Sequence, residues 1–189
     1  MKKIAFLFPG QGSQSVGMLR AYSDHPAVRA TIDEASEALS ENLAALIDEG
    51  PADALNLTAN TQPVMLAADV GVWRAWLVAG GTMPSLLAGH SLGEYAALVA
   101  AGSLALADAV RLVRFRAQVM QEAVPPGVGA MAAVIGGDDE GVVAACAEAA
   151  QGEVVEAVNF NAPGQLVIAG HKSAVERAML TVKAHGAKR

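Results

Sequence analysis

Residues 87–97 read LAGHSLGEYAA, and Ser91 stands in the pattern Gly89-x-Ser91-x-Gly93. An apolar run, Ser85 to Ala88, precedes it, and a helical run from Glu94 to Ala101 follows. Strand, tight turn and helix in that order restrict the fold more than any other stretch of the chain. Two glycines at such a turn let strand and helix approach closely around a strained residue. The serine side chain then projects at a helix N-terminus, where unpaired N–H groups and the helix dipole favour developing negative charge. Two readings fit: a nucleophile elbow, or a serine that caps the helix after a glycine turn. A nucleophilic serine also needs a neighbouring base to take its proton.

The rest of the chain surrounds this turn with alternating strands and helices. Ile4 to Phe8 is a continuous apolar run stopped by Pro9-Gly10, as expected of a buried central parallel strand. Amphipathic segments follow at 26–39 and 41–48. A long helix is expected from Gln62 to about Val78, with Pro63 tolerated in its first turn, and another from Leu106 to Ala123. This alternation predicts an α/β layer fold. After Pro125-Pro126-Gly127 the rhythm changes to strand 130–135, helix 138–150, strands 153–159 and 165–169, and helix 172–185. The order β-α-β-β-α is the ferredoxin-like plan without its last strand. The sequence therefore predicts a core over 1–125 and a smaller subdomain over 126–189, with an unpaired sheet edge that invites association.

Composition narrows the function classes. The chain has 53% hydrophobic and 17% charged residues, which describes a globular rather than a disordered protein. A formal charge of −6 argues against a general nucleic-acid binder. Cys146 is alone, so it forms no internal disulfide and reads as a small buried hydrophobe; no Cys/His spacing suggests a metal site. The N-terminal apolar run is too short for a signal peptide. The longest apolar stretch, PVMLAADVGVWRAWLVAG, carries Asp69 and Arg74 and makes a poor membrane span. A cytoplasmic chain with neither membrane nor nucleic-acid partner is expected.

Two further features bear on Ser91. The loop PGQGSQ, residues 9–14, lacks the third glycine of a dinucleotide fingerprint and the Lys-Ser/Thr of a P-loop. A backbone N–H from it can instead pair with the N–H of Leu92 to form an oxyanion hole, each donor of which is worth about 10²–10³ in rate. On a helical wheel Arg116 falls in the middle of an apolar face made by Leu112, Val113, Val119, Met120 and Ala123, with Arg111, Arg114, Gln118 and Gln121 opposite. An inward arginine requires an acceptor. That acceptor is either an internal Asp or Glu, or the carboxylate of a substrate gripped by the planar guanidinium.

FPGQGSQ at 8–14, TQP at 61–63, GHSLGEYAAL at 89–98, RAQVMQEAVPPGVGAM at 116–131 and NAPGQLVIAG at 161–170 occur in that order. With these motifs nearly the whole chain resembles the malonyl-CoA:acyl-carrier-protein transacylases of fatty-acid synthesis. The resemblance implies an α/β-hydrolase-like core with a ferredoxin-like insertion. It implies that Ser91 takes malonyl from malonyl-CoA as an ester and passes it to the phosphopantetheine thiol of acyl carrier protein. No cofactor is implied beyond the coenzyme A thioester substrate, and no metal. Gln11 and Leu92 match the family's oxyanion-hole positions, and Arg116 matches its carboxylate-binding arginine. Asn161 matches a motif near the cleft between subdomains, although a turn asparagine before Pro163-Gly164 fits it equally.

The base is harder to place. His90 adjoins Ser91 but should point away from it on an extended approach. His25 lies in a polar stretch and reads as solvated, His171 as a helix start, and His185 as part of AHGAKR. None matches the family's catalytic histidine, which the resemblance puts beyond Arg189 together with a glutamine that orients it. The chain is thus expected to correspond to the N-terminal three-fifths of a transacylase, and to transfer malonyl negligibly alone, since losing the base costs roughly 10⁶ in kcat. A serine esterase and a non-catalytic module that holds CoA or carrier protein are the competing functions.

Overall fold

The N-terminal apolar run forms β1 (Ala5–Phe8), paired in parallel with β2 (Leu86–Gly89) so that Phe8 stands opposite Gly89. The computed structural model describes residues 3–125 and 127–189, and the expected boundary residue Pro126 lies outside them. The chain divides into two units, Met1–Glu122 and Ala123–Arg189. In the first, α1 (Pro26–Leu39), α2 (Leu43–Asp48), α3 (Ala52–Leu55) and α4 (Thr58–Val78) lie between the two strands, and α5 (Leu92–Ala100) and α6 (Leu106–Glu122) follow β2.

The strand expected to be buried on both faces is covered on one. Phe6 and Phe8 turn onto Trp73 of α4, with ring centroids 5.2 and 6.4 Å away, and Phe8 is buried. Burying one such ring stabilises the fold by about 2–3 kcal/mol. On the other face Leu7 and Leu86 are exposed.

Helix α4 begins at Thr58, four residues before the expected start, so Pro63 lies inside it. Proline has no N–H, which leaves the carbonyl of Ala59 without its helical donor. Arg114 Nη1 fills that vacancy, donating to Ala59 O at 2.7 Å. The same side chain donates to Asn60 Oδ1 at 3.0 Å and pairs with Glu41, so Arg114 is largely buried rather than on an outer polar face. The buried face of α6 is Leu106, Ala109, Val110, Val113 and Ala117, whereas Leu112, Val119 and Met120 are exposed. Arg116 therefore stands at the margin of the packed face and not at its centre. Both corrections have one cause: α6 is apolar around much of its circumference, so the wheel alone does not select the packed arc.

In the second unit β3 (Gly129–Ile135), β5 (Gln165–His171) and β4 (Val155–Ala162) form an antiparallel sheet in that spatial order. Helices α7 (Asp139–Ala150) and α8 (Lys172–Thr181) share its core through Val134, Val142, Leu166, Ile168 and Val175. The chain then returns to the outer edge of β3. Ala187 bridges Gly136, Lys188 N–H donates to Ile135 O at 2.7 Å, and Ile135 N–H donates to Arg189 O at 2.6 Å. Among the described residues, no helix is long and apolar enough to cross a membrane, and no group of three His, Cys, Asp or Glu could hold a metal ion.

Asp69 is the costly residue of the first core. It is 9% exposed on α4, its Oδ2 has no hydrogen-bond partner among the described residues, and burial pushes its carboxyl up to about 7. Between about pH 4 and 7 the folded chain thus holds a proton that the unfolded chain, with an ordinary carboxyl, has released. Stability from this group is complete below about pH 4 and is lost as pH rises through 7. Asp69→Asn, neutral at every pH, is expected to raise the melting temperature at pH 8 by several degrees and at pH 5, where only the first part of the loss has accrued, by less than half as much. Circular dichroism melts at the two pH values check this; an equal shift at both contradicts it.

Candidate active site

The turn after β2 carries Ser91 in a conformation that few side chains adopt, with φ 54° and ψ −109°. A non-glycine residue there stores about 1–3 kcal/mol of strain and persists only where its surroundings dictate it. The two flanking glycines do so. A Cβ on Gly89 would lie 2.0 Å from the carbonyl carbon of Gly93, and a Cβ on Gly93 would lie 2.3 Å from the Phe8 carbonyl oxygen. Strand β2, helix α5 and the end of β1 meet without room for a methyl group. Ser91 occupies the N-cap position of α5, yet its side chain makes no capping bond, which answers the capping alternative. Leu92 is the first residue of α5, so its N–H has no acceptor within the helix.

The loop at 9–14 abuts this turn, since a Cβ on Gly10 would come within 3.1 Å of the His90 carbonyl oxygen. Its side chains are tied elsewhere. Gln11 Nε2 donates to Thr58 Oγ1 at 3.1 Å, and Gln14 Nε2 donates to Asn56 Oδ1 at 2.9 Å. Gln14 Oε1 also accepts the Gly12 N–H at 2.7 Å. What Gln11 has left to offer the elbow is its backbone.

Arg116 reaches the serine. Its Nη2 donates to Ser91 Oγ at 2.8 Å and its Nη1 to Gln62 Oε1 at 2.7 Å, while the guanidinium carbon stands 5.8 Å from the centre of the Tyr95 ring. Among the described residues no Asp or Glu pairs with Arg116, so the internal carboxylate expected of an inward arginine is replaced by a neutral amide and a hydroxyl. Sequence reasoning missed Gln62. It is fully buried, and its Nε2 lies 3.5 Å from Gln11 Oε1 and 3.4 Å from Met120 Sδ. Placing the start of α4 at Gln62 hid its importance, because a polar residue in a first helical turn needs no explanation. Fully buried inside the helix, it does.

No histidine hydrogen-bonds Ser91 among the described residues. His90 is exposed; His25 is half-buried, not solvated, with Nδ1 unpartnered. In the second unit His171 caps α8 and its Nδ1 accepts the Val154 N–H at 3.0 Å, and His185 Nε2 lies 3.2 Å from Glu148. Asn161 belongs to β4 and falls where the register with β5 shifts between Phe160 and Ala162. It is an extra residue at a bulge, a position that redirects side chains, while Pro163-Gly164 makes the turn. Cys146 is buried and burial, with Glu156 nearby, raises its thiol, as suits an inert core residue.

A strained serine at a helix head, beside a loop with unspent N–H groups, is the arrangement of enzymes that carry acyl groups as serine esters. Comparison with known proteins agrees: the family model described as acyl transferase domain matches residues 5–189, and the chain belongs to that family. It is 59% identical to the malonyl CoA-acyl carrier protein transacylase of Salmonella typhimurium, across all of this chain and 62% of the relative. A crystal structure of an acyl-carrier-protein S-malonyltransferase from Burkholderia pseudomallei superposes with TM-score 0.94 at 63% identity, over 100% of this chain and 61% of that one. A malonyl-transacylase in complex with its type II PKS acyl-carrier protein superposes with TM-score 0.95 at 54% identity, over 100% and 61%. The chain thus spans about three-fifths of the length of the relatives it matches.

The elbow itself is testable. Gly93→Ala sets a methyl against the Phe8 carbonyl and is expected to cost on the order of 3 kcal/mol of stability. Urea unfolding measures it, and an unchanged midpoint contradicts the close packing.

Proposed function

We propose that these residues carry the acyl-serine half of a malonyl-CoA:acyl-carrier-protein transacylase. The observation that carries the reading is the Arg116–Ser91 contact: a guanidinium with no carboxylate partner among the described residues, held against the hydroxyl at the elbow. Ser91 Oγ attacks the thioester carbon of malonyl-CoA while a base accepts its proton. The N–H groups of Leu92 and Gln11 hold the oxyanion, the C–S bond breaks, and coenzyme A leaves as its thiol once protonated. The phosphopantetheine thiol of acyl carrier protein then attacks the ester, and Ser91 recovers its proton. Arg116 exchanges its bond to Ser91 for two bonds to the malonyl carboxylate, which selects malonyl over acetyl. The resemblance alone supports Asn161 as a substrate-binding residue. The exchange is redox-neutral and asks for no electron carrier.

The names of the relatives support malonyl-CoA and acyl carrier protein as partners, one of the solved relatives being a complex with its carrier. The architecture supports an α/β-hydrolase-like core over 1–125 and a ferredoxin-like subdomain over 126–189. The order β3-β5-β4, with residues 187–189 beginning to cover β3, fits the first three strands of a ferredoxin-like sheet. Arg116 donates hydrogen bonds and keeps its proton, so it cannot serve as the base.

Incubation with malonyl-CoA or acetyl-CoA, followed by peptide mass analysis, tests this. Malonyl is expected on Ser91 in preference to acetyl, and Arg116→Ala is expected to reduce that preference by about 10- to 100-fold, the worth of a hydrogen bond to a charged group. Labelling of another residue, or equal loss with both donors, contradicts the proposal.

A further inference from the structure

The partner of Arg116 differs in kind from those of the other arginines packed against the fold. Arg74 meets Glu34, Arg114 meets Glu41, and Arg177 meets Glu153. Arg116 meets Gln62, a neutral side chain with no exposed surface, through a 2.7 Å bond. A guanidinium only donates, so it dictates that the oxygen of the amide faces it. The Gln62 NH₂ group is left with two weaker neighbours, Gln11 Oε1 at 3.5 Å and Met120 Sδ at 3.4 Å. Gln62 therefore stands between the arginine and the loop at 9–14, and its one short bond goes to the arginine.

Resting on the reading of Arg116 as a carboxylate clamp, we propose that Gln62 is a specificity-determining positioning residue: it fixes one guanidinium nitrogen through a neutral acceptor, so that the positive charge stays available to a carboxylate on the acyl donor. A carboxylate at position 62 would fix the guanidinium equally well, but it would compensate the charge inside the protein. The incoming malonyl carboxylate would then meet an ion pair instead of a cation. An apolar side chain at 62 would leave the charge open and the nitrogen loose. Only a neutral acceptor both orients Arg116 and leaves its charge unpaired.

The test is equilibrium binding, free of any demand for turnover. Malonyl-CoA and acetyl-CoA are titrated calorimetrically into the chain carrying Ser91→Ala, so that neither thioester reacts, and into the same chain with Gln62→Glu or Gln62→Met. With Gln62 present, malonyl-CoA is expected to bind at least about tenfold more tightly than acetyl-CoA. Gln62→Glu is expected to weaken malonyl-CoA by about tenfold or more and acetyl-CoA by less than about twofold. Gln62→Met, similar in volume and uncharged, is expected to lose a smaller part of the preference, again through malonyl-CoA alone. Should both variants keep the preference, or weaken the two ligands alike, the inference is overturned and Gln62 is a packing residue. Should the chain with Gln62 intact bind both thioesters equally, the clamp reading of Arg116 fails first.

Discussion

The approach of Gly93 to the Phe8 carbonyl is the constraint on which the first unit turns. Helix α5 can begin directly after β2 only because neither Gly89 nor Gly93 carries a side chain, and β1 closes over the junction. That contact forces Ser91 to a positive φ, lifts its hydroxyl clear of the helix it heads, and leaves the Leu92 N–H without an acceptor. The strain is compensated by burial nearby: Phe8 and Leu92 are in the core, and Phe6 and Phe8 each meet Trp73 edge to face beneath the strand. The geometry of the elbow is thus held by apolar packing, the term least sensitive to salt and pH.

Charge is handled in two ways on neighbouring helices. Pro63 opens a gap in the hydrogen bonds of α4, and Arg114 closes it at the Ala59 carbonyl while pairing with Glu41. That arginine is structural, since both its terminal nitrogens are bonded within the fold and its buried Nε has no partner among the described residues. Arg116, two residues along α6, points its donors at a neutral amide and at Ser91. The difference between the two is the identity of their partners, not their burial. Asp69, on the same face of α4 as Gln62 and Trp73, shows the opposite case, a buried carboxyl whose Oδ2 has no partner among the described residues.

Much of this was legible in the chain itself. The elbow announced its strand, turn and helix through two glycines, and the change of rhythm after Pro125 marked the β-α-β-β-α order of the second unit. Periodicity failed where it carries no information. α6 is apolar over too wide an arc for a wheel to choose its packed side, which displaced Arg116 and misjudged Arg114. β1 reads as doubly buried because a strand's own sequence does not say whether both its faces are covered. Gln62 was hidden by a proline that looked like a helix start, although the gap that proline makes is filled from α6, 51 residues later in the sequence. A turn asparagine remained one of two open readings of Asn161 because a bulge leaves little trace in the residues that form it.

The central claim is that one serine ester would be held at both ends, its carbonyl by the Leu92 and Gln11 N–H groups and its carboxylate by Arg116. A crystal structure of the chain trapped as the malonyl ester of Ser91 examines this directly. The account predicts the carboxylate in two hydrogen bonds to Arg116, Gln62 still on Nη1's side of the guanidinium, and the ester oxygen between the two N–H groups. A malonyl group turned to solvent, with Arg116 still bonded to Ser91 Oγ, would contradict it.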